Sequence, residues 1–333
     1  MGIDDRSVII TRTPLRITLG GGGTDLPSYY RRHNGGFLVA AAITKYVFIA
    51  VNHNFDDGLL LKYSQVERVS NPRDAQHRLL REILLVTGVE SGIELSSMAD
   101  IPAGTGLGSS GAFTVGALKA LRAHRRDVVS NLQLAEEACH IEIDRLSEPV
   151  GKQDQYIAAV GGITALEFHP DDSVVVAGLD VATDTRHRLE DNLLLFFTGI
   201  RRSASDVLAI ESSATRSDKD LAANLDAVKS LGHDAAHLLE KGDLDDFGEL
   251  LTAQWDLKLH RSPTRVHRQV DDWIRAGINS GAAGGKLVGA GDGGFLLFYA
   301  DNKTALRETM TAAGLDEVRF GIDYLGTSVI VEE

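Results

Sequence analysis

The chain has 333 residues, enough for two domains with hydrophobic cores, and its 43% apolar and 24% charged content is that of an ordinary globular protein rather than a disordered one. With 47 acidic residues against 34 basic ones, the formal charge of -13 argues against a broad nucleic-acid or anionic-membrane surface and leaves room for a small anion held by a few local cations. The single cysteine, Cys139, cannot close an intrachain disulfide, as suits a reducing cytoplasm.

The opening MGIDDRSVIITRTP carries acids where a secretory signal has its basic region, so export by that route is not expected. A strand is expected from residues 7–10. After TPLRITL come four glycines and then a helix carrying Tyr29 and Tyr30, with Asp25 and Pro27 suited to its first turn. FLVAAAITKYVFIAV, residues 37–51, is broken by Lys45 and falls short of the ~20 residues a membrane helix needs; it reads as buried strand with a short turn. Further strands are expected at 92–98 and 161–168, and helices after Asp74, Ser109 and Ser130, the last opened by a Ser130/Gln133 capping box. In the second half, LLLFFTG at 193–199 and GGFLLFYA at 293–300 are strand-length apolar runs, and 203–279 between them is mostly helical in spacing. The class is therefore α+β, with a strand-rich first domain and a helix-containing second, divided between residues 170 and 190.

Three glycine loops stand out. In IPAGTGLGSSGAFTVGALKAL, Gly106, Gly108 and Gly111 match G-x-G-x-x-G literally. The turn follows a strand and opens a helix, so its free backbone N–H groups and the helix dipole favour phosphate. A dinucleotide fold would want an acid about 20 positions on, at the end of a second strand; Glu136 and Glu137 sit instead in a helical pattern. A Walker loop would need a lysine after the glycines, where Ser109 and Ser110 stand. On this segment alone a helix cap and a phosphate cradle both remain open. The four glycines 20–23, flanked by Arg16 and Asp25, clear side chains from a place where something approaches the backbone. The third loop, GKLVGAGDGGFLLF, is either a tight hairpin or a backbone wall. A fourth candidate, EIDRLSEPVGKQDQY, has Glu142 in a helix and Asp154 just after a Pro-Val-Gly break with Lys152 beside it; isolated carboxylates on helices are usually solvated, and one directly after a break is the better site candidate.

Together these segments resemble the GHMP small-molecule kinase superfamily. Pro102-Ala-Gly104-Thr105-Gly106-Leu107-Gly108-Ser109-Ser110 meets its central P-x-x-x-G-L-x-S-S motif, Pro14-Leu-Arg16 through Thr24-Asp25 its first, and the 289–295 loop its third. LRITLGGGGTDLPSYY and EPVGKQDQYIAAVGG look most like its heptose kinases, which phosphorylate D-glycero-D-manno-heptose 7-phosphate at the anomeric oxygen. Galactokinases carry Glu-His where this chain has Gly22 and Gly23, which argues against galactose. The resemblance implies two domains, 1–180 of the ribosomal-protein-S5 type and 181–333 ferredoxin-like, with the site between them.

It further implies that the loop from Pro102 to Gly111 cradles ATP phosphates and that Ser110 and Glu142 hold Mg2+. Asp154 would be the base and Arg16 its cationic partner. Asp25, with Gly22, Gly23 and Thr24, would meet the sugar, and Gly291 and Gly293 would close the far wall. A sugar phosphorylated at its far end would need distal cations, for which Arg201, Arg202, Lys258 and Arg261 are candidates; Lys152 would steer the base or meet substrate. Each of these cations could equally be an ordinary surface residue. A cytoplasmic enzyme acting on a sugar phosphate and ATP is expected, with no nucleic-acid or membrane partner and with a homodimer left open. Competing expectations are a fucose- or hexose-type 1-kinase, a non-catalytic sugar sensor, and the dehydrogenase suggested by the literal glycine match.

Overall fold

The computed structural model describes residues 8–201, 218–261, 265–289 and 293–332. Its organising element is a long strand, β2 (Gly36–His53), antiparallel to β1 (Ile9–Gly20) along nearly its whole length. The expected turn inside this run does not form. Instead the pairing jumps from Pro14↔Tyr46 to Leu15↔Ile43, so Thr44 and Lys45 bulge out of one continuous strand. Pro14, which has no N–H to give to the ladder, lies at that irregularity. The bulge is used: Thr44 N donates to Gly321 O at 2.9 Å, and Gly321 N donates to Thr44 Oγ1 at 2.8 Å.

Around β2 the sheet forks. Its first part pairs with β6 (Ile163–Phe168), which carries β7 (Val174–Gly178), and its last part pairs with β5 (Ile93–Ala99). β3 (Leu59–Lys62) joins β5 in parallel and β4 (Val66–Val69) closes that edge. The other edge is the end of the chain, β12 (Ser328–Glu332), paired with β1.

Four helices, α2 (Arg78–Thr87), α3 (Ser109–His124), α4 (Asn131–Cys139) and α5 (Gln153–Val160), cover this half, after the short α1 (Pro27–Tyr30). The capping box opens α4, with Gln133 N donating to Ser130 Oγ at 3.3 Å and Ser130 N to Gln133 Oε1 at 2.9 Å. α3 sits directly on β1: a Cβ on Gly116 would fall 2.7 Å from Thr13 Oγ1. Asp25 does not cap α1, which starts at Pro27; its carboxylate turns inward.

The second half is built on a four-stranded antiparallel sheet, β11 (Asp316–Glu317), β8 (Leu193–Phe197), β10 (Phe295–Tyr299) and β9 (Gly284–Leu287). Its remaining helices are α6 (Thr183–Asn192), α7 (Asp218–Lys241), α8 (Leu244–Arg261), α9 (Arg265–Asn279) and α10 (Lys303–Ala312). Trp255, Phe196, Phe298, Ile274 and Leu306 form one core under the sheet. α7 crosses back onto the first half, where Gly232 Cα lies 3.2 Å from where a Cβ on Gly20 would stand. No described helix is long and apolar enough to cross a membrane. The strand-rich first half and helix-containing second half match the α+β expectation.

Candidate active site

Two of the glycine loops are interlocked. The segment leading from β5 to α3 passes through left-handed backbone at Gly106, whose Cβ would be 2.7 Å from Val288 O. Reciprocally, a Cβ on Gly289, also left-handed, would be 2.5 Å from Gly106 O. α3 then starts at Ser109 after Gly108, with no side-chain cap and no acid in its first turn, leaving backbone N–H groups and the positive dipole end open to the cleft. Within the loop, Thr105 Oγ1 donates to Pro102 O at 3.0 Å, and Leu107 is fully buried with its carbonyl accepting from Arg16 N. Pro102, Thr105, Leu107 and Gly111 thus frame the loop, while Gly104, Gly106, Gly108, Ser109 and Ser110 line the cleft.

The glycine spacing is explained by what lies beneath it. Arg16 Nε, on β1, donates to Asp154 Oδ1 at 2.7 Å, and Arg16 Nη1 donates to Gly106 O at 2.5 Å. A Cβ on Gly108 would be 3.1 Å from Arg16 Cγ and 3.2 Å from Asp154 Cγ; one on Gly111 would be 2.7 Å from Asp154 Cβ. Bare backbone at 106, 108 and 111 lets the loop close over an ion pair, which is a different use from a dinucleotide turn. Asp154 is in the first turn of α5, with its side chain 26% exposed to the cleft, a geometry fit for accepting a proton from a bound hydroxyl.

Glu142 lies on a π-helical turn, His140–Arg145, that continues α4. It is 2% exposed, and burial pushes its carboxyl up to about 7, against hydrogen bonds from Gln155, Thr114 and Ser110 that favour the ionised form. Ser109 Oγ, at the start of α3, is buried without a hydrogen-bond partner. A buried carboxylate, an adjacent hydroxyl and a loop suited to phosphate form the donor set Mg2+ takes when it is bound mainly through substrate phosphates and water. The residues therefore fit that ion, although no cluster of three or more His, Cys, Asp or Glu exists among the described residues.

In the loop at 20–23, the four glycines divide. Gly20 and Gly21 are packed against α7 and the Phe37–Leu38 backbone, whereas Gly22 and Gly23 line the cleft. Thr24 is fully buried and bonded to Gly21 O and Phe37 O at 2.8 Å each, so it clamps the loop and does not face the cleft. Asp25 accepts from Gly23 N and Gln153 N at 3.2 Å each. Burial, then the negative charge of Asp154, raise its carboxyl above the usual range, with the Gln153 N–H opposing them. Gln153, which the sequence reading passed over, joins the two carboxylates: it accepts from Thr18 Oγ1 at 2.5 Å, and its Nε2 lies 3.5 Å from Asp154 Oδ1.

The cation candidates scatter. Lys152 does not pair with Asp154; it donates to Asp172 O at 2.6 Å and lies 5.3 Å from the centre of the Tyr30 ring. Lys258 donates to Gly289 O at 2.6 Å, which puts it at the interlocked loops rather than far from Asp154. Arg201 and Arg261 line the cleft, the latter donating to Asn224 Oδ1 at 3.1 Å. Arg202 and Gly291 lie outside the described residues; Gly293 lines the far wall. Lys286, unforeseen, is buried in the same cleft.

All of this encloses about 1720 Å3, above the roughly 300–1,000 Å3 of a single small-ligand pocket. Part of its wall is Tyr63, His77, Met98, Ile101 and Phe113, with the His77 ring against both Tyr63 and Phe113, an apolar and aromatic recess of the kind a nucleobase occupies.

Residues 72–162 match the family model for the GHMP kinases N terminal domain and residues 235–315 the one for the GHMP kinases C terminal domain. The chain is 28% identical over 311 residues to a D-glycero-alpha-D-manno-heptose 7-phosphate kinase of Campylobacter jejuni, covering 88% of this chain and 89% of that protein. It is 27% identical over 344 residues to an L-fucokinase/L-fucose-1-P guanylyltransferase of Bacteroides fragilis, covering 90% of this chain and 35% of that longer protein. Among solved structures, a D-glycero-D-manno-heptose 1-phosphate kinase from Bacteroides thetaiotaomicron superposes with TM-score 0.79 at 23% identity, covering 98% of this chain and 99% of that one. A Lactococcus lactis galactokinase with galactose superposes at 0.72 and 19% identity, covering 97% and 94%.

Proposed function

The chain belongs to the GHMP kinases, and on that premise we propose that it transfers the γ-phosphoryl group of ATP to the anomeric hydroxyl of D-glycero-D-manno-heptose 7-phosphate, giving the 1,7-bisphosphate. The observation that carries the reading is the Arg16–Asp154 pair, set between a phosphate loop and the cleft-facing Gly22–Gly23–Asp25 loop. The choice of heptose rests on the Campylobacter relative, alike over nearly its full length, and on the absence of a Glu-His pair at Gly22–Gly23.

In this mechanism Asp25 accepts hydrogen bonds from sugar hydroxyls and fixes the ring. Asp154 takes the proton of the 1-hydroxyl as its oxygen attacks phosphorus; the bond from phosphorus to the β-γ bridging oxygen breaks, and ADP leaves. Arg16 offsets charge developing on the transferred group while holding the base and the Gly106 carbonyl in one geometry. Backbone N–H groups at the start of α3 receive the nucleotide phosphates. Ser110 and Glu142 are the residues to hold Mg2+, which when bound neutralises phosphate charge.

The test is a magnesium–ATP assay on heptose 7-phosphate, with the phosphorylated carbon of the product located by NMR. Phosphorylation at any carbon but C1, or no turnover, removes the proposal. The Bacteroides fragilis match, which covers 90% of this chain, supports a fucose-type 1-kinase as the second reading, and the same assay run on a sugar panel separates them. Under the heptose reading the product feeds a nucleotide-activated heptose for surface polysaccharide, capsule or lipopolysaccharide, made in the cytoplasm. Residues 1–180 and 181–333 would act as the two domains across the cleft, with the closing strand β12 of the second returning to the sheet of the first.

A further inference from the structure

Gln153 opens α5 one position before Asp154 and is 6% exposed, yet it lines the cleft. Its backbone N–H is given to Asp25 Oδ2 at 3.2 Å, so its main chain is fixed by the second carboxylate of the cleft. Its side chain is held by Thr18, whose Oγ1 donates to Gln153 Oε1 at 2.5 Å. Thr18 stands two positions after Arg16 on β1, so both side chains leave the strand on one face, and both line the cleft.

The Thr18 bond decides which end of the amide faces the base. An ionised carboxylate only accepts, whereas a threonine hydroxyl can donate, so Nε2 is the end that lies 3.5 Å from Asp154 Oδ1. Arg16 Nε reaches that same oxygen at 2.7 Å. Asp154 Oδ2 takes no hydrogen bond among the described residues, and the second N–H of Gln153 Nε2 finds no acceptor among them. A buried amide used so incompletely is costly, and a methionine of similar length would fill the space without that cost.

Resting on the reading of Asp154 as the base, we propose that Gln153, oriented by Thr18, aligns the base with the sugar. One N–H of its amide keeps Asp154 Oδ1 engaged with the protein, which dedicates Oδ2 to the substrate. The other N–H is given to a sugar oxygen beside the reacting hydroxyl, on a ring that Asp25 holds within reach of the same amide. The proton of the attacking hydroxyl goes to Oδ2 as its oxygen bonds to phosphorus and ADP leaves with the bridging oxygen; Gln153 itself gives up no proton. The 3.5 Å contact is of the long kind that catalytic sites show before substrate draws them in. Thr18 is then a positioning residue that acts only through Gln153.

The experiment is steady-state kinetics with magnesium–ATP and heptose 7-phosphate, or whichever sugar of the panel is turned over, on Gln153→Met, Thr18→Val, Thr18→Ser and the Thr18→Val/Gln153→Met double variant. Gln153→Met should lower kcat ~10-fold or more, as expected for loss of a hydrogen bond to a charged group, and raise KM for the sugar while leaving KM for ATP within about two-fold. Thr18→Val should lower kcat less, because the amide remains but is free to turn, and Thr18→Ser should restore it. In the double variant the Thr18 change should add nothing to the loss already caused by Gln153→Met. A kcat of folded Gln153→Met within a few-fold of wild type, a KM for ATP that rises as much as that for the sugar, or additive losses in the double variant overturns the proposal. Should Gln153→Met fail to fold, the Thr18 variants decide: kcat unchanged in Thr18→Val, or not restored in Thr18→Ser, overturns it equally. Wild-type turnover with these variants unaffected would leave the kinase reading standing, whereas no transfer by the wild type to any sugar would remove both.

Discussion

Arg16 on β1 and Asp154 on α5 lie 138 positions apart in sequence and meet through an Nε–Oδ1 bond of 2.7 Å. Because the same guanidinium holds the Gly106 carbonyl at 2.5 Å, one side chain ties the carboxylate to the loop that would carry the nucleotide phosphates.

That coupling separates two variants. Asp154→Asn keeps the shape and removes the base, so kcat should fall by ~10²-fold or more while KM for ATP changes little. Arg16→Met frees Gly106 O as well, so KM for ATP should rise in addition. Steady-state kinetics on variants with wild-type circular dichroism check this, and turnover of Asp154→Asn within a few-fold of wild type rules out the base assignment.

The interlock of the glycine loops makes a controlled prediction. At Gly289 a methyl group meets Gly106 O at 2.5 Å from a left-handed backbone, so Gly289→Ala must displace the phosphate loop. Gly178, on β7, has nothing within 4 Å of its added Cβ. Gly289→Ala should raise KM for ATP several-fold and lower Tm, whereas Gly178→Ala should lie within ~0.5 kcal/mol of wild-type stability. Equal behaviour of the two would mean the loops are not coupled.

The difference between such glycines marks what could be read from the sequence. The turn at 102–111 was legible because strand, turn and helix follow one another locally, and the motif order pointed to the one cleft that Arg16, Asp25 and Asp154 share. Contacts between distant segments were not legible. Lys286 bonds to Leu19 O 267 positions away, and nothing in KLVGAG separates it from an ordinary lysine beside a loop. Lys152, two residues before Asp154, looks like its neighbour, yet it precedes the first turn of α5 and points to Asp172. The glycine run 20–23 looked uniformly cleared for a ligand, while Gly20 is cleared for α7 and Gly21 for the Phe37–Leu38 backbone. Lys45 looked like a short turn in buried strand because a bulge and a turn interrupt an apolar run in the same way.

Glu142 gives a pH prediction for the metal-free protein. Its folded value of about 7 lies above the ordinary 4.5, so its contribution to stability is complete below about 4.5 and is lost as pH rises through about 7. The span is worth on the order of 3 kcal/mol. Glu142→Gln should therefore show a flatter fall in Tm between pH 5 and pH 8 than wild type. Magnesium with nucleotide should restore wild-type stability at pH 8 and restore the variant less. Parallel Tm profiles would mean that Glu142 titrates normally. Ser110→Ala, read by the magnesium dependence of turnover, tests the other half of the same site; an unchanged dependence removes its metal role.

The sugar's own phosphate should be read by Arg261. It stands in the last turn of α8, bonded to Asn224, with a guanidinium nitrogen 3.9 Å from where a Cβ on Gly23 would be. Its place on the Gly22–Gly23 side of the cleft is where the far end of a sugar held by Asp25 would reach. Arg261→Met should raise KM for heptose 7-phosphate by ~10–100-fold, as for a lost charge-assisted hydrogen bond, with kcat little altered. The same variant should leave KM for the unphosphorylated heptose near its wild-type value, because that sugar makes no such bond. If both sugars lose affinity equally, Arg261 supports the glycine loop instead, and Arg201, on the same cleft, becomes the residue to substitute next.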